Sequence, residues 1–289
     1  MIIVDMTHVM VSNLMVHLNQ SRVNADAVGV TPEFVRHLAL KSIHYFKSKF
    51  RTYGEIVLSY DARFYWRKQA FPHYKAGRKK DRETSGIDWA MIHETTASLK
   101  EEFAENMPYK VIQVALAESD DIIATLVKHV PGQHMIIAGD KDFIQLQSAG
   151  NVQQYAPVQK KFVKSEFGPD TYKIIHMISG DRGDGIPNFL SADDAFVNPN
   201  ARQAPLRQKV ISSVLEIGPE NYCKIKNDDQ LLKYFKRNQQ LIDFDFIPVD
   251  LVNEIKKAYD EAPVNSRSKV IPYLMKHRMI NLMDKAGEF

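Results

Sequence analysis

Apolar positions crowd the start of the chain, where Ile2–Asp5 (IIVD) reads as a short buried strand ending on an acid. Over residues 9–18 the apolar spacing shifts to a helical period. Thr31-Pro32 then opens a second helix, with Thr31 as N-cap and Pro32 in the first turn. Phe34, Val35, Leu38, Ile43 and Phe46 would give that helix one broad buried face. Continuous β-type runs follow at 55–61, 110–114 and 134–139, with helical patterns at about 88–106 and 119–129 between them. Residues 152–155 and 162–163 read as a hairpin or as edge strands. Strands alternating with helices predict an α/β fold, a central, mostly parallel sheet flanked by helices.

Beyond about residue 169 the pattern turns helical, punctuated by Gly and Pro, and FVNPNARQAP at 196–205 interrupts it as a loop. Helices are predicted near 206–216, 228–240, 249–261 and 268–283. The expected organisation is an α/β domain over 1–178 and a smaller helical domain over 179–289. A length of 289 residues with 44% hydrophobic content suffices for such a core. No apolar stretch approaches the roughly 18 residues of a membrane span, and no secretory signal opens the chain. The lone cysteine, Cys223, excludes an internal disulfide and suits a reducing, cytoplasmic setting.

The strand ends carry the candidate chemistry. Ligand sites in open α/β sheets lie outside the carboxyl ends of the strands. Here Asp5 closes the first strand, Asp61 the second and Asp140 the fourth, with Asp142 two residues on. Glu118, Asp120 and Asp121 open the helix after the third strand, Glu118 and Asp121 sharing a helix face. Asp181 and Asp184 stand three apart where the helical part begins. Each group alone has a plainer explanation, as a turn residue, a first-turn helix acid or an Asx turn. Nine carboxylates on one edge would repel one another without cations. An oxygen-only set points to Mg²⁺, with Mn²⁺ as a substitute, rather than zinc. Their number suggests two ions, which at about 3.5–4 Å could clamp an in-line phosphoryl displacement. His8, His73 and His134 lack ligand spacing and read as structural or surface residues.

Net charge is only +3, yet residues 62–82 hold eight Lys/Arg against one acid, Asp81. Phe64, Tyr65, Trp66, Phe71 and Tyr74 interleave with these cations, as a strip for a polyanion would require. A solvated basic helix is the plain alternative. Trp66 and Phe71 fit core packing better, which leaves Tyr74 and Lys75 as contact candidates. Metal-assisted phosphodiester hydrolysis follows as the reaction class.

The stretches IIVD, LSYDARFYWRK, HYKAGRKK, ESDDIIA, AGDKDFIQL, SGDRGD and LIDFDFIP, in this order, resemble the 5′-nuclease (flap endonuclease) superfamily over nearly the whole chain. Within it they are similar to the ribonuclease H branch of T-even-like bacteriophages. The resemblance implies a PIN-like sheet, a helical arch at about 62–95 and a helix–three-turn–helix-like DNA-binding element. It implies a 5′-3′ exonuclease and flap endonuclease acting on RNA–DNA hybrids and branched or 5′-flap DNA. Such an enzyme would remove RNA primers in phage replication, as a monomer in the host cytoplasm. By motif, Asp5, Asp61, Glu118, Asp120 and Asp140 match a first metal site, Asp142, Asp181 and Asp184 a second, and Asp121 a further acidic position. Lys75 and Arg78 match basic residues that contact the scissile phosphate at the arch base. Tyr74 matches an aromatic that stacks on the nucleotide near the cut, and Lys79 and Lys80 continue the basic run.

The family's glycine-rich, duplex-gripping turn is replaced by SGDRGDGIPNFLSADDAFVNPN, which leaves Arg202, Arg207 and Lys209 as the basic residues to take its place. A single-strand DNA-binding protein and a sliding clamp are the implied protein partners. Residues 240–244 (QLIDF) faintly resemble a clamp motif, although helix packing explains them better. A catalytically inactive branched-DNA-binding protein and a PIN-type ribonuclease are the rival readings. The full acid set disfavours the first, and the chain length and basic strip disfavour the second.

Overall fold

The computed structural model describes residues 1–21, 30–85 and 87–289, with the side chains of 19–21, 79–81 and 84 outside that description. Side-chain alternation along the strands explains the layering. In β1 (Ile2–Asp5), Ile2 and Val4 enter one apolar cluster and Ile3 the other. β2 (Ile56–Ser59) repeats this, with Ile56 and Leu58 on one side and Val57 on the other. Strands apolar on both faces must be covered on both. With β3 (Lys110–Ile112), β4 (His134–Ile137), β5 (Val152–Ala156) and β6 (Lys161–Phe162) they form one sheet, ordered β3-β2-β1-β4-β5-β6. The first five strands run parallel, and β6 returns antiparallel to β5 as an edge hairpin. β1 lies between β2 and β4, where the strand order reverses. The crevice beyond their carboxyl ends is therefore the topological switch point, the usual ligand position of such sheets.

One face is covered by α1 (Met6–Ser21), α2 (Pro32–Lys49) and, after the short α3 (Trp66–Ala70) and α4 (Gly77–Thr84), by α5 (Trp89–Asn106). Thr31 Oγ1 accepts the Phe34 N–H at 3.2 Å and Pro32 occupies the first turn, as the sequence predicts. The buried face of α2 is Val35, Ala39, Leu40, Ile43 and Phe46, while Phe34 and Leu38 lie on its half-buried flank. Arg36 is tolerated inside because its Nε and Nη2 each donate to Glu102 of α5 at 2.8 Å. α6 (Ser119–His129) and the 3₁₀ segment Lys141–Ala149 cover the opposite face.

α7 (Pro169–Ser179), α8 (Gln208–Ile217), α9 (Pro219–Lys226) and α10 (Asp229–Ile242) gather around a third cluster, which also takes in Phe71 and Tyr74. α11 (Val249–Glu261) instead joins the cluster around α6, and α12 (Val270–Lys276) and α13 (Ile280–Met283) join the one around α2. Residues 179–289 are thus not one helical body, since the last helices return to both faces of the sheet. The clamp-like segment is core: Leu241, Ile242 and Phe244 are 3%, 3% and 4% exposed, so it offers no docking strip to a sliding clamp. Among the described residues no helix is long and apolar enough to cross a membrane.

Candidate metal and nucleic-acid site

Each acid at the switch point is fixed by the backbone that delivers it. Asp5 Oδ1 accepts the His8 N–H at 2.9 Å, so the carboxylate that ends β1 also caps α1. Asp61, just past β2, accepts the Ser119 N–H at 2.7 Å, and the Ser59 and Ser119 hydroxyls meet at 2.6 Å to lock β2 to α6. Asp140, past β4, accepts the Asp142 N–H at 3.0 Å and so shapes the turn that presents Asp142. Burial, and then Asp61, push the Asp5 carboxyl up to about 8. Burial, and then Asp140, do the same to Asp142. Asp120 is raised well above the ordinary range by burial, Asp140 and Asp5. Asp5, Asp61, Asp120, Asp140 and Asp142 are therefore brought together without enough counter-charge. A hard divalent cation fits this donor set, because it supplies the missing charge to carboxylate oxygens.

Glu118 and Asp121 meet a buried arginine instead. Arg67 of α3, 2% exposed, donates to Glu118 Oε2 at 3.0 Å and to the Leu241 carbonyl at 2.8 Å, and its Nη2 forms an ion pair with Asp121 Oδ1 at 2.8 Å. Asp121 Oδ2 accepts Trp66 Nε1–H and the Glu118 N–H, each at 3.0 Å. Fully buried, with Oδ2 accepting two hydrogen bonds and Oδ1 ion-paired with Arg67, Asp121 is placed as counter-ion and helix cap rather than as an open metal ligand. Glu118 also accepts from Tyr74 Oη at 2.9 Å and from Lys75 Nζ. Burial pushes its carboxyl up, but Lys75 and Arg67 outweigh that and leave it below its ordinary value.

Tyr74 is 2% exposed, with its hydroxyl 2.9 Å from both Glu118 and Asp184. A ring so buried cannot stack on a nucleotide, so the role expected of Tyr74 falls. Trp66 and Phe71 are core residues as expected. The exposed aromatic of the strip is Phe64, 65% open, with the Arg63 guanidinium 5.6 Å from its ring centre.

Lys75 adopts a left-handed backbone (φ 55°), held by its N–H to the Asp184 carbonyl at 2.8 Å and by Nζ on Glu118. Arg78 donates to Asp184 Oδ1 at 2.5 Å. The 181–186 loop closes through paired backbone bonds between Asp181 and Ile186, and Asp181 Oδ1 accepts the Asp184 N–H at 2.9 Å. Gly185 (φ 73°) is needed there, because a Cβ would lie 2.9 Å from the His73 carbonyl oxygen. Asp184 thus faces Tyr74, Lys75 and Arg78. Asp181 faces His176, whose Nε2 is 3.4 Å from Asp181 Oδ2 and whose Nδ1 is 3.4 Å from Asp142 Oδ1.

Sequence reasoning missed His176, for which the only signal is its place on α7 a turn or so before Asp181. It also missed Arg237, which donates to the carbonyls of Pro187, Asn188 and Ser191 and to Asp193 Oδ1 at 2.6 Å, an internal cation inside the altered loop. His8 is structural as expected, its Nε2 accepting the Gly139 N–H at 3.2 Å beside Asp140. Arg202 and Arg207 are exposed on the approach to α8, and Lys209 in its first turn. The Lys79 and Lys80 side chains lie outside the described residues.

With this geometry in view, the family model described as the 5′-3′ exonuclease, N-terminal resolvase-like domain, matches residues 3–173. The chain belongs to this 5′-3′ exonuclease family. A second model, described as T4 RNase H, C terminal, matches residues 168–289. Ribonuclease H of Enterobacteria phage T4 is 31% identical over 273 residues, covering 91% of this chain and 89% of that protein. The flap endonuclease Xni of Shewanella sp. (strain MR-4) is 30% identical over 186 residues, 61% of this chain and 68% of that protein. Among solved structures, a phage T5 protein co-crystallised with metal ions aligns with TM-score 0.65 at 16% identity, over 90% of this chain and 98% of that one. A T5 flap endonuclease pseudo-enzyme–product complex with DNA and metal ions aligns at TM-score 0.64 and 16% identity, with the same coverage. These structures share the mixed, mostly parallel sheet and its helices. The chain is an enzyme of the 5′-3′ exonuclease, ribonuclease H and flap endonuclease kind.

Proposed function

We propose that the chain hydrolyses phosphodiesters at 5′ ends and flaps, on RNA–DNA hybrids and duplex DNA, and removes RNA primers during phage DNA replication in the host cytoplasm. The observation that carries this reading is the convergence of Asp5, Asp61, Asp120, Asp140 and Asp142 on one sheet edge, beside Lys75 and Arg78. The ribonuclease H and flap endonuclease relatives support the choice of nucleic acid.

Asp5, Asp61, Asp120 and Asp140 would hold one Mg²⁺, with Glu118 beside it, and Asp142, Asp181 and Asp184 would hold a second, Mn²⁺ substituting at either. Bound there, the ions would supply Lewis-acid polarisation and neutralise the charge that gathers during phosphodiester hydrolysis. Lys75, whose Nζ rests on Glu118, would donate to the scissile phosphate. Burial alone would lower its pKa, but Asp184 and Glu118 hold the ammonium well above its ordinary value, so it stays charged and cannot act as a base. Arg78, about half exposed, has guanidinium N–H groups left for a neighbouring phosphate. Phe64 offers the open ring on which a base near the cut can stack. Arg202, Arg207 and Lys209 would track duplex phosphates further out, with Lys79 and Lys80 extending the basic run of the arch.

The test compares wild type and Asp142→Asn on a 5′-labelled RNA–DNA hybrid and on a 5′-flap DNA in Mg²⁺. Wild type should release short 5′ products from both, and the variant should be slower by about 100-fold or more. A variant close to wild type would overturn the two-ion assignment, and a wild type inert on both substrates would overturn the function.

A further inference from the structure

His176 stands between two acids that the plain carboxylate reading assigns to the second ion. Its ring nitrogens lie 3.4 Å from Asp142 Oδ1 and 3.4 Å from Asp181 Oδ2. The side chain is only 10% exposed, and Nδ1 is a buried nitrogen that makes no hydrogen bond. One ligand atom from each of Asp142, His176 and Asp181 can be chosen so that all three lie within 4.8 Å of one another. Atoms bound to one ion at about 2.1 Å sit up to about 4.2 Å apart, so a small inward movement would bring the three into one coordination sphere. The ring also stacks obliquely on Tyr172, one turn back on α7, with ring centres 5.7 Å apart, which limits how far it can swing away.

From this arrangement we propose that His176 is a nitrogen ligand of the second ion, so that this site is mixed nitrogen–oxygen while the first is oxygen-only. The proposal rests on the reading that this edge binds divalent ions, and it assigns the two sites different selectivity. Imidazole adds affinity for Co²⁺, Zn²⁺ and, more weakly, Mn²⁺, and adds little for Mg²⁺, which prefers oxygen donors and keeps its waters. The first site would then discriminate little among these ions, and the second would favour the softer ones. The competing role for His176 is that of an imidazolium counter-ion between Asp142 and Asp181, which a ligand-bound ion would not share.

Pulsed EPR on the full chain loaded with Mn²⁺ separates the two roles without relying on activity. Two Mn²⁺ should bind, one of them showing ¹⁴N coupling from an imidazole, and His176→Gln should abolish that coupling. In calorimetric titrations the substitution should weaken Co²⁺ binding at one site by about tenfold or more, and Mg²⁺ binding by less than about threefold. Circular dichroism checks that the variant is folded, and the wild-type spectrum decides the matter if it is not. Mn²⁺ bound without ¹⁴N coupling would overturn the ligand role of His176 and leave the metal reading standing. Equal losses for Co²⁺ and Mg²⁺ in His176→Gln would overturn it too. Failure to bind any Mn²⁺ would overturn both readings together.

Discussion

Replacing Asp5 by Asn removes one charge from the acidic edge and keeps the side-chain oxygen that accepts the His8 N–H. Burial first, and then Asp61, raise this carboxyl from 3.8 to about 8. Between those values the folded chain holds a proton that the unfolded chain has released. The stability it contributes is therefore complete below about pH 4 and is lost as pH rises through about 8. Carried to alkaline pH, the loss is about 6 kcal/mol. That figure is an upper bound for the gain from Asn, which still buries an amide at about 1–3 kcal/mol. The expected result in EDTA near pH 8.5 is that Asp5→Asn stabilises the protein by about 1–3 kcal/mol, or about 2–8 °C in Tm. The gain should vanish or reverse near pH 4.5, and excess Mg²⁺ should erase it by binding wild type more tightly. Thermal melts followed by circular dichroism, with EDTA or Mg²⁺ across this range, read all three. An Asp5→Asn protein that melts below wild type in EDTA near pH 8.5 would refute the claim that uncompensated charge gathers here.

Arg67→Met should destabilise the chain by about 3–5 kcal/mol in urea melts, because it strands Glu118 and Asp121 in the interior; a cost below about 1 kcal/mol would mean that the two acids are not compensated by Arg67. Burial opposes ionisation of Glu102, but hydrogen bonds from Arg36, Tyr273 and Ser98 hold it down to about 2. Its stabilisation, about 1–2 kcal/mol after solvent screening, is present above about pH 4.5 and lost as pH falls toward 2, so Glu102→Gln should flatten the acid limb of stability against pH. Phe64→Ala should weaken single-strand 5′-flap binding by about 1–3 kcal/mol in fluorescence anisotropy while Tm stays within about 2 °C; unchanged affinity would remove Phe64 from the interface.

The acids at strand ends were legible in the sequence because one rule, that ligands sit beyond the carboxyl ends of parallel strands, needs only strand positions and the residues that follow them. The direction of a helical side chain is a different matter. Glu118 and Asp121 do share a face of α6, as their spacing of three implies, but that face meets Arg67. Asp120, about 100° round the helix, is the one that joins Asp5 and Asp140. Spacing fixes which residues travel together and leaves open what they meet, since Arg67 lies some fifty positions earlier and belongs to a run that reads as basic surface. The same blindness affects the charge count of 62–82. Arg67 is wholly consumed by buried acids and Lys75 is tied to Glu118, whereas Arg63, Lys68, Arg78 and Arg82 stay exposed. The positive charge available to a phosphate backbone is accordingly smaller than the sequence advertises, and the interior acids are better compensated than nine like charges on one edge would be. Burial of the cations divides the acidic edge: Glu118, Asp121 and Asp184 meet Arg67, Lys75 and Arg78, whereas burial and neighbouring acids push the carboxyls of Asp5, Asp120 and Asp142 up, where ions from solution are proposed to bind.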